Sequence, residues 1–427
     1  MLNLARTVVH GSSRALLTAA FLAFGGLMPS HQASAAPDVR ASCAAAAPTH
    51  VRCFALHLGA GARSPIAAGQ RAAADMIAFS GPYGPAALTS AYKLPSKVNT
   101  TVGTGQTIAV IDAYDDPFAA SDLAQYRSYY GLRACTAGSG CFRKVNQAGA
   151  TSPMPASDVG WAGEISVDLD MASAICPNCH LLLVEAASSL DSDLATSVNT
   201  AVGLGATILT NSYGATETSQ EVASLGPAYN HPGVTVTVAS GDAGFAPGAQ
   251  FPADLPTVLA VGGTRLTRNL STPRGWVETG WDDSGSGCSS YVPMTIAQTL
   301  RLPQTRRFAC ASSFGGSPGR QIADVSAVAD PATGVAVYDS FGSGGFNWWI
   351  FGGTSVASPI IAGIVALAGN AASITPPVYR LPYRQPPLFN DIRGGSSGSC
   401  GGSYICAGRG GYDGPTGIGT PIGRFSL

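Results

Sequence analysis

The stretch from Phe351 to Gly369 constrains the fold of this chain more than any other. It begins with Phe351-Gly-Gly-Thr-Ser-Val-Ala-Ser-Pro359, continues through the apolar run Ile360–Gly369, and contains no charged residue. A helix that is apolar on every side has to be buried in the core of a large domain. We therefore expect the chain to build a core around a helix that starts near Ser355.

Ser355 stands at the predicted first turn of this helix, after two glycines and a threonine. Backbone N–H groups are unpaired at a helix start, and the helix dipole is positive there. Such a place would stabilise an anion that forms on a substrate carbonyl, which makes Ser355 a candidate nucleophile. The same residues also suit a turn in which Ser355 only caps the helix. This stretch alone does not separate the two interpretations.

Charged residues make up only 11% of the chain, well below the usual share of about a quarter. The 427 residues can bury a sizeable core, in one large domain or two ordinary ones, and they are too apolar for disorder. The net charge of -1 gives no indication of binding to nucleic acid or to an anionic membrane surface. A low charge density also suits a protein that has to stay folded in acid.

Residues 1–35 are typical of a secretory signal peptide. Arg6 and Arg14 give a positive start, Ala15–Met28 is apolar, and Ala33-Ser-Ala35 is a small-residue site after which we expect cleavage. The apolar run is too short for a membrane anchor. The protein is therefore predicted to be secreted.

The ten cysteines agree with export, because they fall into local pairs. An even number of closely spaced cysteines in an exported chain predicts disulfides that staple loops. For Cys176-Pro-Asn-Cys179 a redox or zinc motif is the alternative, but zinc needs further ligands and the adjacent His180 is poorly placed to supply one. The expected pairs are Cys43/Cys53, Cys135/Cys141, Cys176/Cys179, Cys288/Cys310 and Cys400/Cys406.

Residues 36–82 are rich in alanine and show no clear strand or helix pattern. We expect a short pro-segment or N-terminal extension here, with a disordered leader as the alternative. Turn residues from Gly81 onward lead into a first helix, and the main domain is expected at residues 83–427.

Strands and helices alternate through the first half of this domain. Near-continuous apolar runs are typical of strands covered on both faces, and helical patterns lie between them at Ser189–Gly203 and Ser219–Tyr229. Repeated strand–helix units predict an α/β fold with a doubly wound, mostly parallel sheet flanked by helices. Residues 265 to 320 are expected to be rich in loops. The apolar runs are Thr107–Asp112, His180–Glu185, Thr207–Thr210, Val234–Ala239 and Thr257–Val261.

A nucleophilic serine needs a general base, and histidine is the usual one. No histidine lies in a glycine–threonine setting at a helix start, where a subtilisin-like base would stand. The histidines fall in the signal (His10, His31), in the expected pro-segment (His50, His57), at a strand start (His180) and in a turn (His231).

Glu164 and Asp168 are better candidates for the base. They are four residues apart, so on a helix they share one face. Two carboxyls side by side in an apolar setting cannot both ionise easily, so they share a proton and one pKa rises. Such a pair can take a proton from a serine in acid. A solvated helix face with two ordinary acids is the alternative.

Asp242 lies in Ser240-Gly-Asp-Ala-Gly244, just after a predicted strand. In sheets of this kind, ligands bind beyond the carboxyl ends of the strands. If Asp242 is buried near Ser355 it would be protonated at low pH, and a neutral carboxyl can donate a hydrogen bond to an oxyanion. The alternative is an ordinary turn residue.

Together these motifs resemble those of the sedolisin family, the serine-carboxyl peptidases, which share the subtilisin fold. The resemblance runs from about Gly81 to the C-terminus. It implies that Ser355 is the nucleophile, that Glu164 is the general base supported by Asp168, and that Asp242 contributes to the oxyanion hole.

The resemblance extends to the substrate cleft. The family's cleft strand matches Ser212, Tyr213 and Gly214, and its Phe-Pro-Ala and Val-Gly-Gly-Thr motifs match Phe251–Ala253 and Val261–Thr264. Trp348 and Trp349, just before the nucleophile, could line the cleft or pack in the core.

The family also carries one calcium ion near the C-terminus. The resemblance implies that Asp391 and Asp413 supply carboxylates and that Ile392, Arg409 and Gly411 supply backbone carbonyls, the hard oxygen ligands that calcium prefers. Arg409 stands where the family usually has glycine, so the third carbonyl comes from residue 409 or 410. A glycine-rich surface loop without metal is the alternative.

These features lead us to expect a secreted, monomeric endopeptidase, made as a zymogen, that hydrolyses peptide bonds in protein or peptide substrates at acidic pH. A catalytically silent exported binding protein on the same scaffold is an alternative from another class. A subtilisin-type enzyme that uses Asp112 and a histidine would work at neutral or alkaline pH; otherwise Asp112 is a structural or cleft residue. The expected pro-segment is much shorter than the family's usual prodomain.

Overall fold

A mostly parallel sheet forms the centre of the protein in the structure, which is a computed structural model. The structure describes residues 38–59, 82–95, 101–246, 248–311, 313–342, 347–369, 371 and 386–427. The expected signal peptide lies outside these residues, as do residues 60–81 of the expected pro-segment.

The strands of the described residues are short to medium in length. They are β1 Val39–Ala41, β2 Arg52–Cys53, β3 Leu56–Leu58, β4 Thr107–Ala113, β5 Phe142–Asn146, β6 His180–Ala186, β7 Ile208–Asn211, β8 Tyr213–Thr216, β9 Thr235–Ala239, β10 Gln250–Phe251, β11 Leu259–Arg268, β12 Trp276–Gly280, β13 Gly287–Pro293, β14 Gly319–Ile322, β15 Val325–Val328, β16 Val335–Tyr338, β17 Trp348–Gly352, β18 Phe389–Asn390 and β19 Thr420–Pro421.

The α-helices of the described residues range from one turn to five. They are α1 Pro85–Ala91, α2 Ala119–Tyr129, α3 Val159–Ile175, α4 Asp191–Gly203, α5 Ser219–Ser224, α6 Ile296–Arg301, α7 Gln304–Arg307 and α8 Thr354–Ala368.

The central sheet follows the order β12-β11-β9-β7-β4-β6-β5, and β15 also pairs with β11. Its pairs are parallel except that β12 runs antiparallel to β11. Alternate residues of β4 enter different clusters: Ile108 and Val110 pack with residues of α3 and α8, whereas Ala109 and Ile111 pack with residues of α4. Helices therefore cover both faces, and the predicted doubly wound α/β class is confirmed.

The carboxyl ends of β4, β6 and β7 meet at one edge of this sheet. β4 lies between the other two, with Asp112 opposite Glu185 and Ile111 opposite Asn211. Crevices for ligands form at such edges. The residues that follow β7 and β9 continue into the candidate site.

The predicted apolar helix is α8, and it is buried from Thr354 to Leu367. It packs against α3. A β carbon on Gly363 would lie 2.7 Å from the β carbon of Ile175, so glycine at this position lets the two helices approach closely. Their packing holds the predicted nucleophile and the predicted carboxyl pair on neighbouring helices.

Two regions differ from the sequence prediction. β11 begins at Leu259, two residues late, and continues to Arg268, where it pairs with β12. The region 265 to 320, expected to be rich in loops, also holds β13, which pairs with β14 in antiparallel fashion. Antiparallel strands mix polar and apolar residues, so these lack the continuous apolar pattern that marks the parallel strands.

Residues 38–59, named here the N-terminal segment, contain β1, β2 and β3, although their sequence shows no clear strand pattern. β2 pairs with β8, while β3 pairs with β1 and with β17. Both β8 and β17 are far away in the sequence. The segment therefore forms strands because the rest of the fold supplies partners, which a local pattern does not reveal.

The five predicted disulfides are all present, so the local pairing of cysteines is confirmed. In the parts of the chain that the structure describes, no helix is both long enough and apolar enough to cross a membrane.

Candidate active site

Ser355 is the second residue of α8 and has no exposed surface. The helix starts after Gly353, whose φ of 98° is readily adopted only by glycine. The Ser355 hydroxyl donates a long hydrogen bond of 3.4 Å to the carbonyl of Ser212. The serine thus stands in the first turn of a buried helix, where backbone N–H groups point towards a ligand.

Glu164 and Asp168 lie one turn apart on α3 and are both fully buried. The Glu164 carboxyl accepts a hydrogen bond of 2.7 Å from the backbone N–H of Ala55, and Asp168 accepts one of 2.7 Å from the Ser212 hydroxyl. The side chain of Ser212 therefore contacts Asp168 while its backbone carbonyl contacts Ser355, so that Ser212 joins Asp168 to Ser355. The alternative of a solvated helix face is wrong, because neither carboxyl reaches solvent.

Burial sets the protonation of this pair. Burial first, and then repulsion from Asp168, raises the pKa of Glu164 well above its usual value, while the hydroxyl of Ser355 beside it lowers that pKa in part. Burial also raises the pKa of Asp168. Oε1 of Glu164 has no hydrogen bond of ordinary geometry within the described residues, so its contact with Ser355 is loose in this state, as is common before substrate chemistry begins.

Asp112 is a third carboxyl in this region. It lies near the end of β4, is fully buried, and has no hydrogen bond from the described residues to either carboxyl oxygen. Burial, then repulsion from Asp168 and Glu164, raises its pKa well above the usual value. Sequence analysis left Asp112 as a structural or cleft residue, and the structure adds that the neighbouring Glu164 and Asp168 oppose its ionisation.

Asp242 follows β9 and reaches the start of α8. One of its carboxyl oxygens accepts hydrogen bonds from the N–H (2.8 Å) and the hydroxyl (2.7 Å) of Thr354. Burial raises the pKa of Asp242 to about 7, although the two hydrogen bonds from Thr354 oppose this. The carboxyl is therefore neutral in acid. Thr354 was not singled out from the sequence, although it directly precedes Ser355 in the motif.

Gly353 lies close to both the N-terminal segment and Asp242. A β carbon on Gly353 would collide with the carbonyl oxygen of Phe54 and would lie 2.6 Å from the other carboxyl oxygen of Asp242. That oxygen of Asp242 has no hydrogen bond from the described residues. A carbonyl oxygen of the N-terminal segment and a carboxyl oxygen of Asp242 therefore both lie against Gly353, two residues before Ser355.

Ser212, Tyr213 and Gly214 line this place from β7 to β8. Gly214 and Tyr213 pair with the N-terminal segment at Arg52 and Cys53, respectively. The Tyr213 side chain is buried and its hydroxyl donates to Asn211. The predicted cleft strand thus contacts an extended peptide through its backbone, as a substrate-binding strand would.

Trp348 and Trp349 pack against different parts of the protein. The ring of Trp349 lies 5.2 Å from that of His57 in the N-terminal segment. The ring of Trp348 packs among tyrosines, with Tyr129 at 4.7 Å and Tyr338 at 5.2 Å.

The histidines of the described chain make their hydrogen bonds away from Ser355. His50 bonds to Ser189, His57 to the adjacent Leu58 carbonyl, and His231 to Asn199 and Ala228. His180 is exposed at the start of β6. This arrangement gives no support to a subtilisin-type base near Asp112.

The carboxylates of the predicted calcium site lie close together near the C-terminus. Asp391 accepts a hydrogen bond of 2.7 Å from the N–H of Gly411, and Asp413 accepts one of 2.8 Å from the N–H of Arg409. Ile392 follows Asp391 and is buried. The structure thus brings the five predicted residues into one region, although the two carboxylates bind N–H groups here.

Carbonyl groups of the same loop converge on a positive group. The carbonyl oxygens of Gly410 and Tyr412 accept hydrogen bonds from the guanidinium of Arg306. Among the described residues, no cluster of three or more histidine, cysteine, aspartate or glutamate side chains could hold a metal ion. A metal ion in this loop would therefore depend on backbone carbonyls as well as on the two aspartates.

The central sheet, the buried helix that carries Ser355 and the carboxyls beside it define a subtilisin-like α/β protein. The family model described as the subtilase family matches residues 151–379, a little more than half of the chain. The chain therefore belongs to the subtilase family.

Individual relatives agree with the sedolisin resemblance, which is confirmed. Kumamolisin from Bacillus sp. (strain MN-32) is 32% identical over 373 residues, which cover 80% of this chain and 62% of kumamolisin. Sedolisin from Pseudomonas sp. (strain 101) is 31% identical over 218 residues, covering 44% of this chain and 33% of that protein. This chain thus spans less than two thirds of the length of the relatives it matches.

A solved structure shares the fold. Pseudomonas sedolisin, described as a serine-carboxyl proteinase complexed with two molecules of pseudo-iodotyrostatin, superimposes with a TM-score of 0.64 at 24% identity, over 81% of this chain and 96% of that one. The predicted subtilisin-like fold is therefore confirmed.

Proposed function

We propose that this protein is a serine-type endopeptidase that hydrolyses peptide bonds at acidic pH. One observation carries the proposal: Ser355, at the start of a buried helix, lies beside the buried carboxyl of Glu164, which is one turn from Asp168. The similarity to kumamolisin and sedolisin supports the same chemistry.

In the proposed reaction, Ser355 attacks the substrate carbonyl while Glu164 accepts the hydroxyl proton. For this the buried pair of Glu164 and Asp168 has to carry one negative charge, and repulsion between them keeps the second proton in place. Glu164 then gives its proton to the leaving amine. Water hydrolyses the resulting ester on Ser355 and regenerates the enzyme.

Asp242 gives the reaction its dependence on acid. The neutral carboxyl donates a hydrogen bond to the oxyanion, together with the backbone N–H of Ser355. Because burial raises the pKa of Asp242 to about 7, this donor is lost as the pH rises towards and beyond neutrality. Activity should therefore be confined to the acidic side.

The shape of the cleft supports endopeptidase activity, because the extended N-terminal segment occupies it on both sides of Ser355. The N-terminal segment pairs with β8 on one side and with β17 on the other, so a substrate could extend in both directions. Another relative, tripeptidyl-peptidase sed1 from Aspergillus fumigatus, is 30% identical over 235 residues, covering 44% of this chain and 34% of that protein. Its name describes the release of tripeptides instead of internal cleavage. Peptides blocked at both ends would distinguish the two activities, because internal cleavage needs no free end.

The first test is proteolysis of a denatured protein from about pH 2 to 9, using protein first incubated in acid. We expect an acidic optimum, loss of cleavage in Ser355→Ala and strong loss in Glu164→Gln. Ser128→Ala, which changes an exposed serine on α2, should behave like the wild type. Undiminished proteolysis by Ser355→Ala, or an optimum at or above neutrality, would overturn the proposal. No proteolysis at any pH would favour a silent binding protein.

We infer that the protein is secreted and acts on proteins or peptides outside the cell. The signal-like residues 1–35 and the five disulfides support export, because disulfides persist in oxidising compartments. A monomer is the expected state. Sedimentation of the secreted protein and N-terminal sequencing of its mature form would test both points.

We also propose that one calcium ion binds at the loop that holds Asp391 and Asp413. Asp391 and Asp413 would supply carboxylates, and Ile392, Arg409 and Gly411 would supply carbonyls, which are the oxygen ligands that calcium prefers. Calcium added after chelation should raise the unfolding temperature, since a ligand that binds only the folded state stabilises it. Asp391→Asn should reduce this shift and the exposed Asp282→Asn should not. Equal shifts with calcium and magnesium, or no shift, would overturn the site.

A further inference from the structure

The N-terminal segment crosses the candidate active site as an extended chain. On one side Arg52 and Cys53 pair with Gly214 and Tyr213. On the other side β3 pairs with β17, the strand that leads into the nucleophile helix. The peptide bond between Phe54 and Ala55 is therefore the part of the segment that lies over the site.

The carbonyl side of this bond lies where a reacting carbonyl would be. The N–H of Phe54 donates a hydrogen bond of 3.1 Å to the carbonyl of Ser212, the same oxygen that accepts the hydroxyl of Ser355. The carbonyl oxygen of Phe54 and the free carboxyl oxygen of Asp242 both lie against Gly353. The backbone of Phe54 is thus fixed next to the nucleophile and the proposed oxyanion donor.

The amine side of the bond faces the general base. The N–H of Ala55 donates a hydrogen bond of 2.7 Å to Glu164. This nitrogen would become the leaving amine if the bond were broken, and Glu164 is the group that would protonate it. One peptide bond therefore binds Glu164 through its N–H and lies, like Asp242, against Gly353 through its carbonyl.

The side chain of Phe54 is also held. It is buried, and the tip of its ring lies 2.9 Å from the point where a β carbon on Gly214 would stand. Only a residue without a side chain leaves this space to the ring. The cleft is thus shaped for an aromatic residue on the amino side of the bond.

The residues before the Phe54–Ala55 bond also contact the residues after it. The disulfide between Cys43 and Cys53 closes a loop on the amino side. The N–H of Ser42, next to this loop, donates a hydrogen bond of 2.9 Å to the carbonyl of Ala55 on the other side of the bond, and β1 pairs with β3. These contacts keep an extended peptide in the site with little freedom.

We propose that the Phe54–Ala55 bond is the site at which this protein cleaves its own chain, and that the cleft selects aromatic residues on the amino side of substrate bonds. The inference rests on the proposed peptidase function. Ser355 Oγ bonds to the carbonyl carbon of Phe54, the bond from that carbon to the nitrogen of Ala55 breaks, and Glu164 passes the serine proton to that nitrogen. Water then hydrolyses the ester, which leaves a carboxyl group on Phe54 and an amino group on Ala55.

The positions of Cys43 and Cys53 determine whether the cleaved part of the N-terminal segment can leave the cleft. Cys43 and Cys53 both precede the cleaved bond, so the loop leaves with its disulfide intact and no covalent link holds it to the rest of the chain. The freed cleft then accepts other substrates. Activity on an added protein should therefore follow cleavage after a lag.

The test follows the N-termini of the full secreted chain by mass spectrometry after a shift to acid, with casein degradation measured in parallel. We expect a new N-terminus at Ala55 in the wild type and none in Ser355→Ala. Ala55→Pro removes the N–H that Glu164 binds and should abolish this N-terminus. Ala45→Pro, the same change at an exposed position of the disulfide loop, should cleave normally. Peptides with phenylalanine before the cut bond should be preferred over matched peptides with alanine.

The results of this experiment distinguish a failure of the self-cleavage proposal from a failure of the proposed peptidase function. A chain that degrades casein while its Phe54–Ala55 bond stays intact, or that forms the Ala55 N-terminus equally well in Ser355→Ala through another protease, would overturn the inference and leave the function standing. A chain that degrades neither casein nor itself at any pH would overturn both.

Discussion

At the scale of single residues, the oxyanion role that we propose for Asp242 depends on its protonation. Thr354 fixes one oxygen of Asp242 with two hydrogen bonds, and the other oxygen lies against Gly353 with no hydrogen bond from the described residues. Only the neutral form of that oxygen can donate a hydrogen bond. The chain thus uses a carboxyl where a side-chain amide could serve at any pH.

Replacing Asp242 by asparagine tests this role. The amide donates at every pH, whereas the carboxyl, whose pKa burial raises to about 7, donates only below that value. We expect Asp242→Asn to lose activity at acidic pH but to retain a larger fraction of its maximum near neutrality than the wild type does. The measurement is kcat/KM against pH, with the exposed Asp282→Asn as the matched control. An Asp242→Asn profile of wild-type shape would show that another group sets the alkaline limb.

Gly214 provides a second prediction at this scale. A methyl group at this position would approach the Phe54 ring to 2.9 Å and the Phe251 carbonyl to 3.0 Å. Gly214→Ala should therefore lower kcat/KM for substrates with phenylalanine before the bond more than for those with alanine, by about tenfold for a loss of about 1.4 kcal/mol. Equal losses for both substrates would mean that the pocket does not recognise the ring, and thermal unfolding would report any general damage.

The residues that could be predicted from the sequence are those whose chemistry lies in short motifs. Ser355, Glu164 and Asp242 each stand in a local pattern with a physical meaning. Phe54 and Ala55 could not be found this way, because their roles come from contacts with residues more than a hundred positions away. The alternation of buried and half-buried residues at Leu56–Leu58 is a strand signal, but three residues are too few to identify a strand.

At the scale of elements, the packing of α3 against α8 places Glu164 beside Ser355. A β carbon on Gly363 would lie 2.7 Å from two carbon atoms of Ile175. Gly363→Ala should destabilise the protein by about 1–3 kcal/mol, as overpacking of a tight core does, and should lower kcat because Glu164 and Ser355 would move apart. Chemical unfolding and kcat measure the two effects.

Gly203→Ala on α4 is the matched control, because nothing lies within 4 Å of its added β carbon. Alanine is favoured over glycine in a helix by about 1 kcal/mol, so this variant should be neutral or more stable, with unchanged kcat. A Gly363→Ala variant that is as stable and active as Gly203→Ala would mean that the helices can separate without consequence.

The parallel core could be predicted at this scale, and the antiparallel additions could not. The apolar runs of β4, β6, β7 and β9 are continuous because both faces of these strands are covered. The far end of β11 pairs with β12, and β13 pairs with β14, in antiparallel fashion, and residues of β11, β12 and β13 are partly exposed. Their pattern is governed by partners and by solvent, so that sequence alone suggested loops.

At the scale of the whole molecule, a low content of charge is combined with many buried carboxyls. Burial raises the pKa of Asp116 and Asp339 to about 7, that of Asp242 to about 7 and that of Glu185 to about 9. These groups bind protons more tightly in the folded chain than in the unfolded chain. Protons bound by these groups therefore favour the folded chain at acidic pH.

The raised pKa values determine how the free energy of unfolding changes with pH. Where the folded state binds more protons than the unfolded state, the free energy of unfolding falls as the pH rises. The stability from these carboxyls is fully present below their unfolded pKa values of about 4, and it is lost as the pH rises through about 7 for Asp116, Asp242 and Asp339.

We expect denaturant unfolding of Ser355→Ala, which cannot digest itself, to require more denaturant at about pH 4 than at about pH 8. Adding Asp339→Asn should remove part of this difference, because the amide keeps the acceptor for the Phe341 N–H but does not titrate. The exposed Asp282→Asn should leave the difference unchanged, and a protein more stable at the higher pH would contradict the prediction.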